Sequence, residues 1–329
     1  MPRIDRPLVV GVLLCVAAGL AAWESATLSW NGKLQLSALT LAIVAGIALG
    51  NTVPQSALAR VHPGLKFSQQ KLLRLGIILY GLRLTLGDIV KLGPRALLLD
   101  VTVITTVLLG GYWLGTRILG MDRDTALLVS AGSGICGAAA VLATDRVIET
   151  ESHKVSVAVA TVVVFGTVAM FLYPVLYPLT GFSERHFGIY TGATVHEVAQ
   201  ALAAGRAVSQ TASDTAVLTK MLRVLLLAPV LLIVGRVRAR GASRKIAFPW
   251  FVVGFGAVIA VQSLIAIPGH ARSALINVDT VLLSAAMFAL GLATRAQQLK
   301  QAGTKPLLLA LIIFVALVTG GYALVRAFI

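Results

Sequence analysis

The residues that could do chemistry in this sequence are ionisable side chains inside apolar stretches. The segment GATVHEVAQALAAG, residues 192–205, places His196, Glu197 and Gln200 near the middle of one such stretch. His196 and Gln200 are one helical turn apart, and so are Lys220 and Arg223 in the next stretch. Inside a membrane each charge costs at least about 2 to 3 kcal/mol unless it is paired, so such groups usually face a cavity, a partner or a transport pathway.

Lys220 and Arg223 indicate an anion. Two cations on one helical face need negative counterparts, and Glu197 supplies only one charge, so a substrate or water must supply the rest. The alternative is that the helix starts later and both side chains reach the membrane surface. His196 and Glu197 are candidate proton carriers, because histidine titrates near neutral pH and burial favours a neutral carboxyl group. The zinc pattern His-Glu-x-x-His is incomplete because Gln200 replaces its second histidine, and the alternative for His196 and Gln200 is a buried packing pair.

A glycine-rich stretch, SAGSGICGAAA at residues 130–140, interrupts another apolar run. It lies near mid-membrane, since its first glycines follow Asp124 by a distance of about 12 Å in a layer of about 30 Å. Glycines weaken a helix by roughly 1 kcal/mol each relative to alanine, and a helix that resumes after a break offers N–H groups to an anion. The alternative is close packing of helices on small residues. The predicted anion contacts are Gly132, Ser133, Gly134, Ile135, Cys136 and Gly137 of this stretch, together with His196, Gln200, Lys220 and Arg223.

Composition predicts an integral membrane protein. Of the 329 residues, 57% are apolar and only 12% are charged, with a mean hydropathy of +0.89, whereas soluble domains carry about a quarter charged residues. The net charge of +15 does not indicate nucleic acid, because the basic residues lie between apolar segments without interleaved aromatic residues. Cys15 and Cys136 fall inside apolar runs, so no disulfide is expected. We interpret the apolar start of the chain as a retained span and not a signal peptide.

The apolar runs predict eleven transmembrane helices, because in lipid uniformly apolar segments must pair their own backbone groups. The N-terminus is predicted in the cytoplasm and the C-terminus outside, since Lys and Arg, including a cluster at 235–245, concentrate in the loops that this orientation places inside. Asp100, Arg83, Lys71 and Arg74 are assigned to span ends, and Asp124 and Asp279 to helix N-caps. The predicted spans lie near 7–23, 34–50, 68–87, 96–116, 124–144, 155–179, 187–205, 213–235, 248–268, 273–294 and 306–326.

Two sequence matches five spans apart indicate an inverted repeat. KLLRLGIILYGL at Lys71 resembles KMLRVLLLAPVL at Lys220, and DTALLVSA at Asp124 resembles DTVLLSAA at Asp279. The prediction is one all-α membrane domain, 1–329, with inverted five-helix repeats at 34–180 and 186–329 and a peripheral first helix at 1–30. Chance matching is the alternative in a sequence dominated by leucine, alanine and valine.

Four motifs, SGICGAAAVLAT, ATVHEVAQALAAG, KMLRVLLLAPV and LLRLGIILYGLRL, resemble the bacterial YeiH-like family of proposed sulfate exporters. The resemblance runs from about residue 35 to the end of the chain. It implies a multi-pass inner-membrane protein related in fold to sodium/proton antiporters and bile-acid transporters, with inverted five-helix repeats and two crossed, broken helices. It also implies transport of a small oxyanion.

On this resemblance, 132–137 takes the place of the first broken helix and 284–291 that of the second, which adds Ser284 to the expected substrate contacts. The carboxylate pair of the antiporters has no match, because 125–144 and 152–183 contain no acidic residue. The absence of that pair weakens cation exchange and favours an anion substrate.

The first functional hypothesis is a secondary transporter of a small inorganic or organic anion, such as sulfate or a related oxyanion, coupled to protons. The second is a cation/proton antiporter of the same fold, in which Glu197 binds the ion and Lys220 competes with it. The third, an intramembrane enzyme that uses His196 and Glu197, has the least support, so no enzymatic activity, metal or cofactor is expected. Direct ATP drive is excluded because the chain has no Gly-x-x-x-x-Gly-Lys-Ser/Thr loop. The expected partners are the anion and membrane lipid, without nucleic acid, and a homo-oligomer is left open.

Overall fold

The computed structural model describes residues 6–27, 37–238, 250–265, 267–295 and 303–329, and within them all regular secondary structure is helical. Most of the basic cluster at 235–245 lies outside the described residues. Short π-helical turns, Ser68–Leu72 and Leu114–Ile118, and a 3₁₀ turn, Gly81–Arg83, adjoin the α-helices. The α-helices are α1 (Arg6–Thr27), α2 (Ala38–Thr52), α3 (Gln55–Phe67), α4 (Leu73–Tyr80), α5 (Leu86–Trp113), α6 (Arg123–Gly134), α7 (Ala138–Ile148), α8 (Ser152–Thr180), α9 (Glu184–Thr194), α10 (Val198–Arg206), α11 (Gln210–Leu225), α12 (Leu227–Arg238), α13 (Trp250–Leu264), α14 (Gly269–Ala293) and α15 (Thr304–Phe328).

Six helical segments of the described chain are long and apolar enough to cross a membrane. Two shorter apolar helices, Ala38–Thr52 and Trp250–Leu264, accompany them. The predicted number of eleven is not confirmed, because the runs predicted near 68–87, 124–144 and 187–205 are interrupted. The six long segments are Arg6–Ala26, Leu86–Ile118, His153–Thr180, Gln210–Val237, Gly269–Ala293 and Thr304–Phe328.

Met1–Asp88 and Trp250–Ala296 form one compact unit, which we call unit 1. In its described part, α14 packs against α1, α2 and α4. Glycines let the backbones approach, since a Cβ at Gly46 would lie 2.3 Å from the carbonyl oxygen of Phe288, and one at Gly19 would lie 2.8 Å from the amide nitrogen of Ala285. The predicted peripheral helix, α1, therefore packs closely against α14.

A buried ion pair in unit 1 corrects one of the predicted helix caps. The Nη2 atom of Arg83 lies 2.9 Å from Oδ2 of Asp279, whose side chain has no exposed surface. Asp279 sits in the interior of α14, which begins at Gly269, so its predicted N-cap role is wrong. The same prediction for Asp124 is wrong, because Asp122 caps α6 by accepting a 3.0 Å hydrogen bond from the amide of Thr125.

Ile89–Pro249 and Gln297–Ile329 form the second compact unit, unit 2. It contains both interrupted helices, one between α6 and α7 and the other between α9 and α10. In its described part, α11 packs against α9 and α10, α8 packs against α6, α7 and α10, and α15 packs against α6, α8 and α9. The helix α5 bends at Gly93, where φ is +74°, and the part after Pro94 belongs to this unit.

The segment α6–α7 is a helical hairpin that returns to the side from which it starts. Lys154, at the start of α8, lies 3.5 Å from Asp122 and 3.8 Å from Asp124, at the start of α6. A Cβ at Gly132 would touch Val141 at 2.6 Å, as expected where two halves fold back on each other. The predicted membrane-crossing helix at 124–144 is therefore wrong, because the chain reverses at residues 135–137. We call α6–α7 hairpin 1.

The segment α9–α10, hairpin 2, also turns back. A Cβ at Gly188, near the start of α9, would contact Ala212 and Thr215 of α11, and one at Gly205, near the end of α10, would contact Ala212 and Ser213. The end of α10 thus returns to the level at which α9 begins, and the predicted crossing helix at 187–205 is wrong.

The two hairpins enter unit 2 from opposite ends. The base of hairpin 2 lies beside Ala212, whereas Val147, at the base of hairpin 1, contacts Gly235 near the end of α12. Ala212 and Gly235 are separated by about 35 Å of helix at 1.5 Å per residue, close to the hydrocarbon thickness of about 30 Å. The tips of the hairpins therefore meet near the middle of the layer.

Candidate substrate site

The break at the tip of hairpin 1 depends on the backbone conformation of Gly137. Gly137 has φ +73° and ψ −140°, a conformation that side chains with a Cβ rarely adopt, and Ile135 also leaves the helical region. The break predicted within 130–140 is confirmed. The packing alternative applies beside it, because a Cβ at Gly132 or Gly134 would press on Val141 or Val107.

The predicted second break, at 284–291, is wrong because α14 is continuous from Gly269 to Ala293. Its residues SAAMFALG are mostly good helix formers, and its single glycine, Gly291, packs against the carbonyl oxygen of Ile43. The second break is the tip of hairpin 2, where Val195 and Glu197 have extended backbones. Ser284 belongs to unit 1, and its buried hydroxyl has no hydrogen-bond partner among the described residues.

Arg223 joins the carboxyl ends of the first halves of both hairpins. Its Nε donates to the carbonyl of Gly134 at 2.9 Å, and its Nη1 donates to the carbonyl of Ala193. Lys220 donates to the carbonyl of Val195. Both cations are fully buried, so the alternative that they reach the surface is wrong. Because the end of a helix carries about half a negative charge, the two cations compensate the carbonyl ends of α6 and α9.

Glu197 joins the amino ends of the second halves. Its Oε1 accepts a 3.2 Å hydrogen bond from the amide of Ala138, the first residue of α7. At the start of α10, Glu197 and Gln200 form a capping box, in which the Glu197 amide donates to Oε1 of Gln200 at 3.2 Å. Glu197 is half-buried and Ala139 is exposed, so this part of the tips reaches the protein surface. We call residues 134–138 and 194–198, with Lys220 and Arg223, the tip site.

His196 and Gln200, which were both predicted to contact the substrate, differ in their surroundings. His196 is 1% exposed, and neither ring nitrogen has a partner among the described residues. The amide of Gln200 donates to the carbonyl of Val163 at 3.4 Å and to Oγ1 of Thr167 at 3.5 Å, both on α8. Gln200 therefore fixes α10 in place, whereas His196 has free nitrogens for a ligand or proton.

Asp100, on α5, joins this site although the sequence placed it at a span end. Its carboxylate is fully buried without a hydrogen-bond donor, and it interacts electrostatically with Lys220 and Arg223. The carbonyl oxygen of Ile104, one turn from Asp100 on α5, lies 3.8 Å from the position of a Cβ at Gly134, so this stretch of α5 runs beside the tip of hairpin 1. The available signal was that Asp100 is the sole acidic residue between 89 and 121.

Buried polar atoms without partners accumulate at the tip site. Native proteins pair nearly all such atoms, so a cluster of them indicates a place for a polar ligand or for water. Ile135 and Cys136 are buried beside them, and the described residues contain no group of three or more His, Cys, Asp or Glu that could hold a metal ion. The unpartnered atoms in this part of unit 2 are Asp100 Oδ1 and Oδ2, Ser133 Oγ, Tyr173 Oη, His196 Nδ1 and Nε2, and Thr219 Oγ1.

Comparison with known proteins identifies relatives along nearly the whole chain. The model of a family described as Conserved hypothetical protein 698 matches residues 10–310. The UPF0324 inner membrane protein YeiH of Escherichia coli (strain K12) is 48% identical over 320 residues, which cover 95% of this chain and 91% of that protein. The UPF0324 membrane protein PA5383 of Pseudomonas aeruginosa is 47% identical over 335 residues, which cover 98% of this chain and 94% of that protein. No solved structure matches the chain.

Proposed function

Since the chain belongs to the UPF0324 family of multi-pass inner membrane proteins, we propose that it is a secondary transporter and that the tip site holds its substrate. The proposed substrate is a small anion, such as sulfate or a related oxyanion. The observation that carries this proposal is the cluster of unpartnered buried polar atoms where two interrupted helices meet. Interrupted helices near mid-membrane are where many secondary transporters bind their substrates.

The hydrogen-bonding capacity of the two cations favours an anion. Lys220 donates to one carbonyl, which leaves two of the three ammonium hydrogens for a ligand. His196, which interacts electrostatically with Lys220, and Ser133, whose carbonyl lies 3.4 Å from Nη2 of Arg223, add neutral donors to this region. Charge-assisted hydrogen bonds to an oxyanion are about twice as strong as neutral ones. This arrangement suits an oxyanion that enters without most of its hydration water.

Proton coupling follows from the balance of charge. Lys220 and Arg223 face two carboxylates, Asp100 and Glu197, so an entering anion adds a negative charge that a proton would neutralise. The proton carriers proposed from the sequence are His196 and Glu197. Of these, Glu197 is half-buried, whereas His196 is fully buried. If Glu197→Gln kept the full flux driven by a pH gradient, the Glu197 route would be wrong.

The proposed topology has the N-terminus in the cytoplasm and the C-terminus outside. Two hairpins replace two predicted crossings, so the termini stay on opposite sides. Compared with the eleven-span prediction, this topology places Arg146 and Lys154 on the cytoplasmic side and Arg185 on the outer side. The cytoplasmic loops therefore contain one more basic residue than predicted, in agreement with the positive-inside rule. We propose hairpins 1 and 2, which enter from opposite ends, as the pair related by the inverted repeat.

The test is uptake and counterflow of labelled sulfate in proteoliposomes. The parent protein should transport sulfate, and Lys220→Ala and His196→Ala should transport at least tenfold less, since each removes a proposed ligand donor. Lys305→Ala, which removes the same charge from an exposed position in unit 2, is the matched control. Absence of sulfate and other oxyanion movement in a folded parent protein would refute the anion proposal.

The second candidate is a cation/proton antiporter, which the two carboxylates beside the tips favour. Sulfate should raise the Tm of the purified protein if the site binds anions, whereas sodium or potassium should raise it if the site binds cations. We propose transport and not catalysis, so sulfate should leave liposomes chemically unchanged.

A further inference from the structure

Asp100 is a buried acidic group for which the proposed transport path has no role so far. It lies on the face of α5 that contains Leu99, Val103, Ile104 and Val107, all of them buried. Neither carboxylate oxygen accepts a hydrogen bond from the described residues. A buried carboxylate without a donor is costly, because nothing replaces its hydration water.

The nearest charged groups do not form a conventional ion pair with Asp100. Lys220 donates to the carbonyl of Val195, and Arg223 donates to the carbonyls of Gly134 and Ala193. Both cations interact with Asp100 electrostatically, but neither is within hydrogen-bond distance of it. The cations therefore favour the ionised form of Asp100, whereas the apolar surroundings favour the neutral form.

The charge of Asp100 therefore depends on the balance between the nearby cations and the apolar surroundings. The other titratable groups around the tips are the Cys136 thiol in hairpin 1, the His196 and Glu197 side chains in hairpin 2, and the Tyr173 hydroxyl of α8, which interacts electrostatically with Arg223. An anion held by Lys220 would offset the attraction that the ammonium group exerts on the Asp100 carboxylate. A change of 1.4 kcal/mol in that balance alters the ratio of neutral to ionised Asp100 tenfold.

We infer that Asp100 is a proton-binding residue of the transporter, which holds a proton when the tip site is occupied by an anion and releases it when the site is empty. The inference rests on the proposed function for the identity of the occupant. The step is a simple protonation, in which a proton from bulk water binds to a carboxylate oxygen, the carboxylate becomes a neutral acid, and no other bond changes. Asp100 would thereby keep the charge of the tip site constant as the anion enters and leaves.

The test is infrared difference spectroscopy of the reconstituted protein between mildly acidic and mildly alkaline buffer. A protonated carboxyl group has a carbonyl stretching band separate from the amide bands, and in D₂O this band shifts. The parent protein should show such a band at acidic pH, and Asp100→Asn should lose it. Glu197→Gln, which removes the half-buried carboxyl group of the tip site, and Asp279→Asn, which removes the buried carboxyl group of unit 1, should retain it. A band of unchanged intensity in Asp100→Asn would overturn the inference.

A second variant keeps the inference testable if Asp100→Asn does not fold. Asp100→Glu keeps a carboxyl group at the site and should shift the frequency of the band without abolishing it, whereas an unshifted band would show that another residue carries the proton. Without sulfate, the measurement tests whether Asp100 binds a proton at all, so it remains informative if sulfate is not transported. Added sulfate should keep the band present to a higher pH, and a band that sulfate leaves unchanged would overturn the link to the anion. Sulfate transport with no titrating band at Asp100 would leave the proposed function standing and remove this inference.

Discussion

Replacing Gly137 with alanine tests whether the tip of hairpin 1 needs both its backbone conformation and its contact with Glu197. The φ of +73° and ψ of −140° cost a residue with a Cβ about 1 to 3 kcal/mol. The added Cβ would also lie 2.4 Å from Cγ and 3.0 Å from Oε1 of Glu197, so that side chain must move.

The movement of Glu197 adds a second cost. Its carboxylate would lose the hydrogen bond from the amide of Ala138, and a hydrogen bond to a charged group contributes about 1.5 to 3 kcal/mol. The expected loss of unfolding free energy is therefore about 2.5 to 6 kcal/mol. Thermal unfolding of the purified protein should show a decrease in Tm on the order of 10 °C.

Gly110→Ala is the matched control, because Gly110 lies inside α5 with nothing within 4 Å of an added Cβ. It should leave the protein equally stable or stabilise it by up to about 1 kcal/mol. In a Glu197→Ala background, which already lacks this hydrogen bond and the side chain that the Cβ would meet, Gly137→Ala should cost only the backbone part of about 1 to 3 kcal/mol. Equal Tm values for Gly137→Ala and Gly110→Ala would refute our account of the tip.

Three further predictions concern topology and stability. Single cysteines at Met121 and Glu151 should react with a membrane-impermeant reagent from one side and cysteines at Glu184 and Val208 from the other; labelling of Met121 and Glu151 from opposite sides would contradict hairpin 1. Arg223→Met should lower the free energy of unfolding by about 3 to 5 kcal/mol in denaturant titrations, because it leaves buried carbonyls at two helix ends unpaired, and Arg223→Lys should lose less. Asp122→Ala should cost about 1 kcal/mol by removing the N-cap of α6. Partial burial raises the pKa of Asp122, but the Thr125 amide and Lys154 lower it by more, so its pKa is below the ordinary value. The parent should therefore lose this contribution as the pH falls through the folded-state pKa, and the difference between parent and variant should vanish in acid.

The residues of the tip site were predictable because their chemistry is expensive in a membrane. His196, Glu197, Lys220 and Arg223 each interrupt an apolar run, and the structure gathers all four around the two tips. Asp100 has the same signature but was assigned to a span end. The error arose because the bend at Gly93 could not be foreseen, and the helix after Pro94 begins only six residues before Asp100.

The hairpins could not be predicted from the pattern of apolar residues. The run at 124–144 has the length and hydropathy of a crossing helix, and a break near its middle fits both a broken helix and a hairpin. The direction after the break depends on the positive φ of Gly137 and on the contact of Lys154 with Asp122, which joins residues far apart in sequence. The match of Asp124 with Asp279 misled the repeat assignment, because one residue starts a hairpin and the other lies inside a continuous helix.

The charges that the two hairpins bring together at the tip site limit which ions can bind there. The helices α6 and α9 end there, and α7 and α10 begin there. Each helix terminus carries about half an elementary charge, so the two ends contribute about one negative charge and the two starts about one positive charge. One cation of the pair Arg223 and Lys220 compensates the negative ends of α6 and α9, and Glu197 compensates the positive starts of α7 and α10. The charge of the other cation is then balanced by Asp100. Because the charges of Lys220, Arg223, Asp100, Glu197 and the four helix ends sum to about zero within the tip site, any ion that binds there must either displace one of them or bring a counter-ion. A proton is the smallest such counter-ion, and Asp100, buried and without a donor, is the group best placed to receive it.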